Sequence, residues 1–254
     1  VYQADYYDCQ SGQMVLRSPA PLSGKITGLA SNTRPLTSYL YNDGIAEPAI
    51  FVTSTLITGV VTDIFAWRDD ELVNITLDPA TGMSDSTFRL NTSISIQDIN
   101  GDGYPEVPKP TALPTPDASS SLDFWQVQWM QYDLWGEATV VSTTYYNGED
   151  GWYLEMPEGW QGRVALSRLD NSGSGERGVL FYPYSAQQSE GVAMRPFLSI
   201  YRLTGPNRMT RANAEGRFIL LEEDDVIYAA QFHDGSGWDC GVDQEGLRAL
   251  FHLI

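Results

Sequence analysis

The sequence predicts a mainly β or α+β protein, with an antiparallel β-repeat domain in front and, behind it, an α+β domain built on an antiparallel sheet with a C-terminal helix. Three observations carry the prediction. Apolar runs are short, alternate with polar residues and end at Gly, Pro, Asn or Ser, as half-buried strands joined by turns do. Two landmarks recur at nearly one interval: Asp102 stands 59 residues after Asp43, and Trp129 stands 62 after Trp67. Helical periodicity shows at the chain's end, where Leu247, Leu250, Phe251 and Ile254 fall at i, i+3, i+4 and i+7.

The elements follow in order. Residues 1–29 carry short apolar runs at 13–16 and 25–29 between Gly, Ser and Pro, which suits short strands. Tyr39, Tyr41, Asp43, Gly44 and Glu47 then form a worn version of a later motif, keeping its turn and lacking its first two oxygen donors. Residues 63–76, around Trp67, and 127–141, around Trp129, both read as hairpins. Together these landmarks describe a repeated antiparallel unit of turn loop, strand, hairpin and return strand. Between the copies, Pro105, Pro108, Pro110, Pro114, Pro116 and Ser119 to Ser121 predict an extended stretch unsuited to regular structure, a long loop inside the first domain. Asn147-Gly-Glu-Asp-Gly151 marks the boundary, giving domains at 1–146 and 147–254. Six strand candidates follow at 152–156, 163–168, 179–182, 197–203, 217–221 and 226–232. The acidic run Glu222-Glu-Asp-Asp225 fits a solvated hairpin tip better than a cation site, since consecutive charges do not converge. Asp243 is the N-cap of the terminal helix, with Glu245 in its first turn.

The stretch Asp98-Ile-Asn100-Gly-Asp102-Gly-Tyr104-Pro-Glu106 places oxygen donors at every second position across a glycine-bearing turn. A hard cation such as Ca²⁺ gathers about six to eight oxygens, and alternate residues of a curled loop can point inward together. Asp98, Asn100, Asp102 and Glu106 are the expected side-chain ligands and Tyr104 the expected backbone one. Gly101 and Gly103 supply the positive φ that such a curl requires. The alternative is an acidic Asx/Gly turn. An EF-hand does not fit, because its twelfth position is Lys109 and no helical pattern flanks the loop.

These residues resemble the calcium loop of FG-GAP/integrin-α-type (VCBS-type) β-propeller repeats, of the form D-x-[DN]-x-D-G-x-x-[DE]. The resemblance implies propeller-blade-like repeats and a structural Ca²⁺ held by Asp98, Asn100, Asp102 and Glu106. About two and a half units fall short of the roughly four to eight blades of a closed ring. The expectation is therefore a piece of a longer propeller, or an open or differently closed β structure. In the second half, Asp150-Gly-Trp-Tyr-Leu-Glu-Met-Pro-Glu-Gly-Trp160 resembles the opening of Mog1/PsbP-like domains. That family implies a binding or assembly module with no shared catalytic residue.

Composition bounds the setting. With 15 basic and 33 acidic residues the net charge is −18, a field that repels nucleic acid and anionic membrane. The acidic, Trp- and Tyr-rich, Lys-poor composition predicts a secreted or cell-surface bacterial protein. No apolar run approaches the ~20 residues of a membrane helix. The chain begins at Val1 without a signal pattern, which reads as a processed or engineered start, and a lipid anchor would lie outside it. Cys9 lacks the small apolar residues that precede a lipidated cysteine. Cys9 and Cys240 leave two readings open, a disulfide in an oxidising compartment or two separate thiols.

Catalytic signatures are sparse. His233 and His252 are the two histidines; a Ser-His-Asp triad would need His233 with Asp234 and Ser236, and no Gly-x-Ser-x-Gly elbow accompanies them. Gly173-Ser-Gly175 reads as a flexible turn, and the scattered Cys and His disfavour zinc. Asn74 and Asn91 begin glycosylation sequons, relevant only in a eukaryotic source. A glycosidase needs only two carboxylates, and nothing selects a pair. Trp125, Trp129, Trp135, Trp152, Trp160 and Trp238 read as packing before they read as a sugar platform. The sequence thus predicts a non-catalytic extracellular or cell-surface binding or scaffold protein with a structural Ca²⁺, its ligand a protein or a glycan. The alternative is a secreted carbohydrate-active hydrolase.

Overall fold

A computed structural model describes residues 2–26, 33–90, 93–116, 124–185 and 194–254. The expected strand ending at Leu29, the sequon at Asn91 and the serines at 119–121 lie outside them. The protein is mostly β, with several antiparallel sheets and few helices. It divides into two compact units, one of residues 1–110 and 127–143, the other of residues 111–126 and 144–254.

The first unit opens with a two-stranded ribbon, β1 (Gln3–Gln10) and β2 (Gln13–Pro21), turned at Ser11 and Gly12. A four-stranded antiparallel meander follows: β3 (Thr33–Asn42), β4 (Ile45–Leu56), β5 (Gly59–Arg68) and β6 (Glu71–Asn74). Its turns take two residues each. Asp43 and Gly44 join β3 to β4 with φ of 46° and 86°, the twist that suits a tight hairpin. The worn motif is thus a simple two-residue turn, with Glu47 inside β4 opposite Leu40.

Strand β5 is buried on both faces, which its apolar run Val60, Val61, Ile64, Phe65 and Ala66 demands. Ile64 and Ala66 pack with Leu40, Phe51 and Tyr132, while Val61 and Phe65 pack with Ala20, Leu22 and Ile26. One charge interrupts this run. The Asp63 carboxylate is fully buried, and it accepts from Ser23 N at 3.1 Å, Asn74 Nδ2 at 2.8 Å and Ser84 Oγ at 2.6 Å. The same bonds engage the Asn74 amide, which is buried and also reaches the Pro21 carbonyl, so the folded protein does not offer Asn74 to a glycosyl donor.

The proline-rich stretch is partly regular, contrary to expectation: Val107–Ala112 forms β7, the end strand of a sheet of order β16-β10-β9-β8-β7, with β8 at Trp125–Tyr132, β9 at Ala138–Asn147, β10 at Trp152–Glu155 and β16 at Phe251–Leu253. Pro108 and Pro110 are two apart, so both missing N–H groups fall on the same side of the strand. An edge strand tolerates that when the side is the open one.

In the second unit, β11 (Val164–Asn171), β12 (Glu176–Pro183), β13 (Leu198–Thr204), β14 (Arg217–Glu222) and β15 (Val226–Phe232) form an antiparallel sheet of order β11-β12-β13-β15-β14. A short helix, α1 (Arg208–Ala212), lies between β13 and β14 in the chain. Residues 223–225 turn β14 into β15 as the expected acidic tip. The core is aromatic: Trp160 packs edge-on to Phe197, and its Nε1 donates to the Cys240 carbonyl at 2.8 Å. The terminal helix α2 (Gln244–Leu250) begins as expected, with Asp243 accepting from Gly246 N. It ends one turn early. Phe251–Leu253 is a strand on β10 with Phe251 packed on the Trp152 and Tyr228 rings, and Ile254 is exposed.

Candidate metal centre

The loop at 98–106 lies outside regular structure, pinned at its ends by the bridge between Gln97 and Glu106. Gly101 and Gly103 have φ of 75° and 89°. That curl lets one carboxylate serve three backbone donors: Asp98 accepts from Gly101 N and Asp102 N at Oδ1 and from Gly103 N at Oδ2, at 2.8 to 3.1 Å. Asp102 Oδ1 accepts from Tyr104 N, and its Oδ2 from Asn100 Nδ2. Glu106 Oε2 accepts from Ile99 N at 2.9 Å.

Carboxylate oxygens of Asp98, Asp102 and Glu106 all lie within 4.8 Å of one another. Two oxygens on one Ca²⁺-sized ion are at most about 5 Å apart, twice the bond length, so each pair among the three groups is within the span of one ion. Lone pairs remain for it. A carboxylate has about four acceptor positions, and after these bonds and two from Gln131 Nε2, to Asp102 Oδ2 and Glu106 Oε1, Asp98 Oδ2, Asp102 Oδ1 and both Glu106 oxygens keep one free. Asn100 is oriented differently from its expected role: its Nδ2 donates to Asp102 Oδ2 and its Oδ1 accepts from Asp102 N. The Tyr104 ring packs edge-on to Tyr41, with ring centroids 5.6 Å apart.

Burial divides the three acids. Asp98 and Asp102 are exposed, whereas Glu106 is fully buried. Desolvation, reinforced by the nearby Asp102 and Asp98 charges, raises the Glu106 pKa to about 7, against the pull of the Ile99 and Gln131 hydrogen bonds. A divalent cation would reverse this balance by making the charged form the favoured one.

Gln131 is the residue that sequence reasoning missed. From β8 its Nε2 reaches Asp102 Oδ2 at 2.8 Å and Glu106 Oε1 at 3.2 Å, joining two of the carboxylates. Its only sequence signal is a polar residue between Trp129 and Tyr132, which any half-exposed strand would show.

The other candidates are placed as follows. His233 Nε2 lies 2.7 Å from the Oγ of fully buried Ser199, not from Ser236, which instead bonds within its own loop to Trp238. Burial lowers the His233 pKa. His252 stacks on Tyr153 and lies 3.0 Å from Glu155. Cys9 and Cys240 are free thiols. Trp129, Trp152 and Trp160 are buried in cores, and Trp135 is exposed with the Arg68 guanidinium 5.1 Å from its ring. Trp67, the counterpart of Trp129, is half-exposed; with Tyr6 and Tyr39 it lines a groove of about 490 Å³. Among the described residues no helix is long and apolar enough to cross a membrane. Comparison of the chain with protein-family models, with curated proteins and with solved structures finds no match.

Proposed function

We propose that this is a non-catalytic binding or scaffold protein of the cell exterior or cell surface, in which Ca²⁺ at Asp98, Asp102 and Glu106 rigidifies a β domain that presents a ligand surface. The observation that carries the reading is the convergence of three carboxylates within 4.8 Å, one of them fully buried. Like charges this close repel, and a buried carboxylate without a cation is costly. A divalent ion removes both penalties at once. The exposed rim made by Asp98 and Asp102 suits a site of modest affinity, of the kind that extracellular calcium, at roughly millimolar levels, keeps filled. The half-exposed aromatics Tyr6, Tyr39 and Trp67 supply apolar surface of the kind enriched where proteins bind partners. The ligand is a protein or a glycan.

The test is thermal unfolding after chelation. Adding Ca²⁺ to about a hundred times its dissociation constant should stabilise the protein by about 2.7 kcal/mol, and Asp102→Ala should lose the response. A wild-type melting temperature indifferent to Ca²⁺ would sink the proposal.

A further inference from the structure

Arg89 is 5% exposed, and no carboxylate lies within ion-pair distance of it among the described residues. Its backbone pairs with Val60, and its Nη1 donates to Thr62 Oγ1 at 3.2 Å and to the Thr87 carbonyl at 3.3 Å. Its Nε is buried without any partner. A buried, unpaired guanidinium is among the costlier groups a fold can carry, and buried charges are ordinarily paired. Burial lowers the Arg89 pKa to about 10, so the group is still a cation at neutral pH.

The side chain lines a cavity of about 270 Å³. Arg34, Thr53, Thr55 and Ser95 also line it, bringing a second guanidinium and three hydroxyls to one place, and no acidic residue does. Arg34 is exposed on β3, opposite Thr53 on β4, and its side chain has no hydrogen bond or ion pair among the described residues. Leu36, Val60 and Ile94 complete the walls with aliphatic surface. In a chain of net charge −18 the general field disfavours anions, so two unpaired arginines on one cavity are a local exception.

We propose that this cavity binds a small organic anion, a carboxylate carried on a short aliphatic chain. With Nη1 of Arg89 donating to Thr62 and Thr87 and Nε enclosed, Nη2 is the donor left for a ligand, and a guanidinium N–H matches a carboxylate oxygen. Arg34 closes on the anion from the rim, the hydroxyls take its remaining lone pairs, and the aliphatic walls receive the chain. The volume sits just below the ~300 Å³ where ligand pockets begin, which sets the small size.

The experiment is calorimetry and thermal unfolding with butyrate, acetate, inorganic phosphate and sodium chloride at matched ionic strength. Butyrate should bind and raise the melting temperature above the chloride control, more strongly than acetate. Arg34→Gln, which touches only an exposed side chain, and Arg89→Lys, which keeps the charge but not the fork, should each weaken butyrate at least about tenfold. Butyrate no better than chloride, or equal binding in both variants, would overturn the site and leave Arg89 a hydrated structural cation. Phosphate binding without butyrate binding would overturn the carboxylate assignment.

Discussion

Replacing Glu106 by Gln isolates the electrostatics of the loop. In the metal-free protein its folded pKa is about 7, against 4.5 when unfolded. Between those values the folded state holds a proton that the unfolded state has released, so stability falls as pH rises through that window. At about 1.4 kcal/mol per pH unit, charging this one fully buried group removes at most about 3 kcal/mol between pH 4.5 and 7.5. Other acids titrate in the same range, and the difference between wild type and Glu106→Gln cancels them. Urea unfolding at pH 4.5, 5.5, 6.5 and 7.5 in chelator should therefore show the wild type losing stability relative to the variant as pH rises. Saturating Ca²⁺ should reverse that trend, because the cation takes the proton's place. Parallel pH profiles for the two proteins in chelator would refute the reasoning.

Two further perturbations test the packing of strand β5. Asp63→Ala leaves Ser23 N, Asn74 Nδ2 and Ser84 Oγ without their acceptor in the core, and at roughly 1–3 kcal/mol for each buried orphan it should cost at least about 3 kcal/mol in urea unfolding. A loss under about 1 kcal/mol would show that those donors find other acceptors. Gly59→Ala would drive a methyl into the Arg89 carbonyl oxygen, which bonds Val60 N, so it should lower the melting temperature and weaken butyrate binding together. An unchanged melting temperature would contradict the close approach there.

Much of the fold is legible in the chain because its signals are local. The six strand candidates of the second half are all strands, and Asp243 caps the helix where its side chain reaches Gly246 N. What was not legible depended on distant partners. Phe251 satisfies a helical pattern and a strand pattern equally, and only its contacts with Trp152 and Tyr228 decide between them. Pro108 and Pro110 argue against a strand until the strand is known to lie at an edge. Trp67 and Trp129 match in spacing, yet one is half-exposed and the other buried. The candidate site divides in the same way. The alternation of Asp98, Asn100, Asp102 and Glu106 and the two glycines are readable as a string, and the structure brings three of the carboxylates together. The burial of Glu106, the reach of Gln131 and the isolation of Arg89 depend on strands far away in sequence, and no local pattern carries them.

The central claim is that the 98–106 loop holds Ca²⁺. Isothermal titration of Ca²⁺ into chelator-stripped protein at pH 7.5 tests it most directly. One saturable site is predicted, absent in Asp102→Ala and weakened at least about tenfold in Glu106→Gln, which loses a charged ligand. A wild-type titration with no heat beyond dilution, or binding unchanged in both variants, would contradict it.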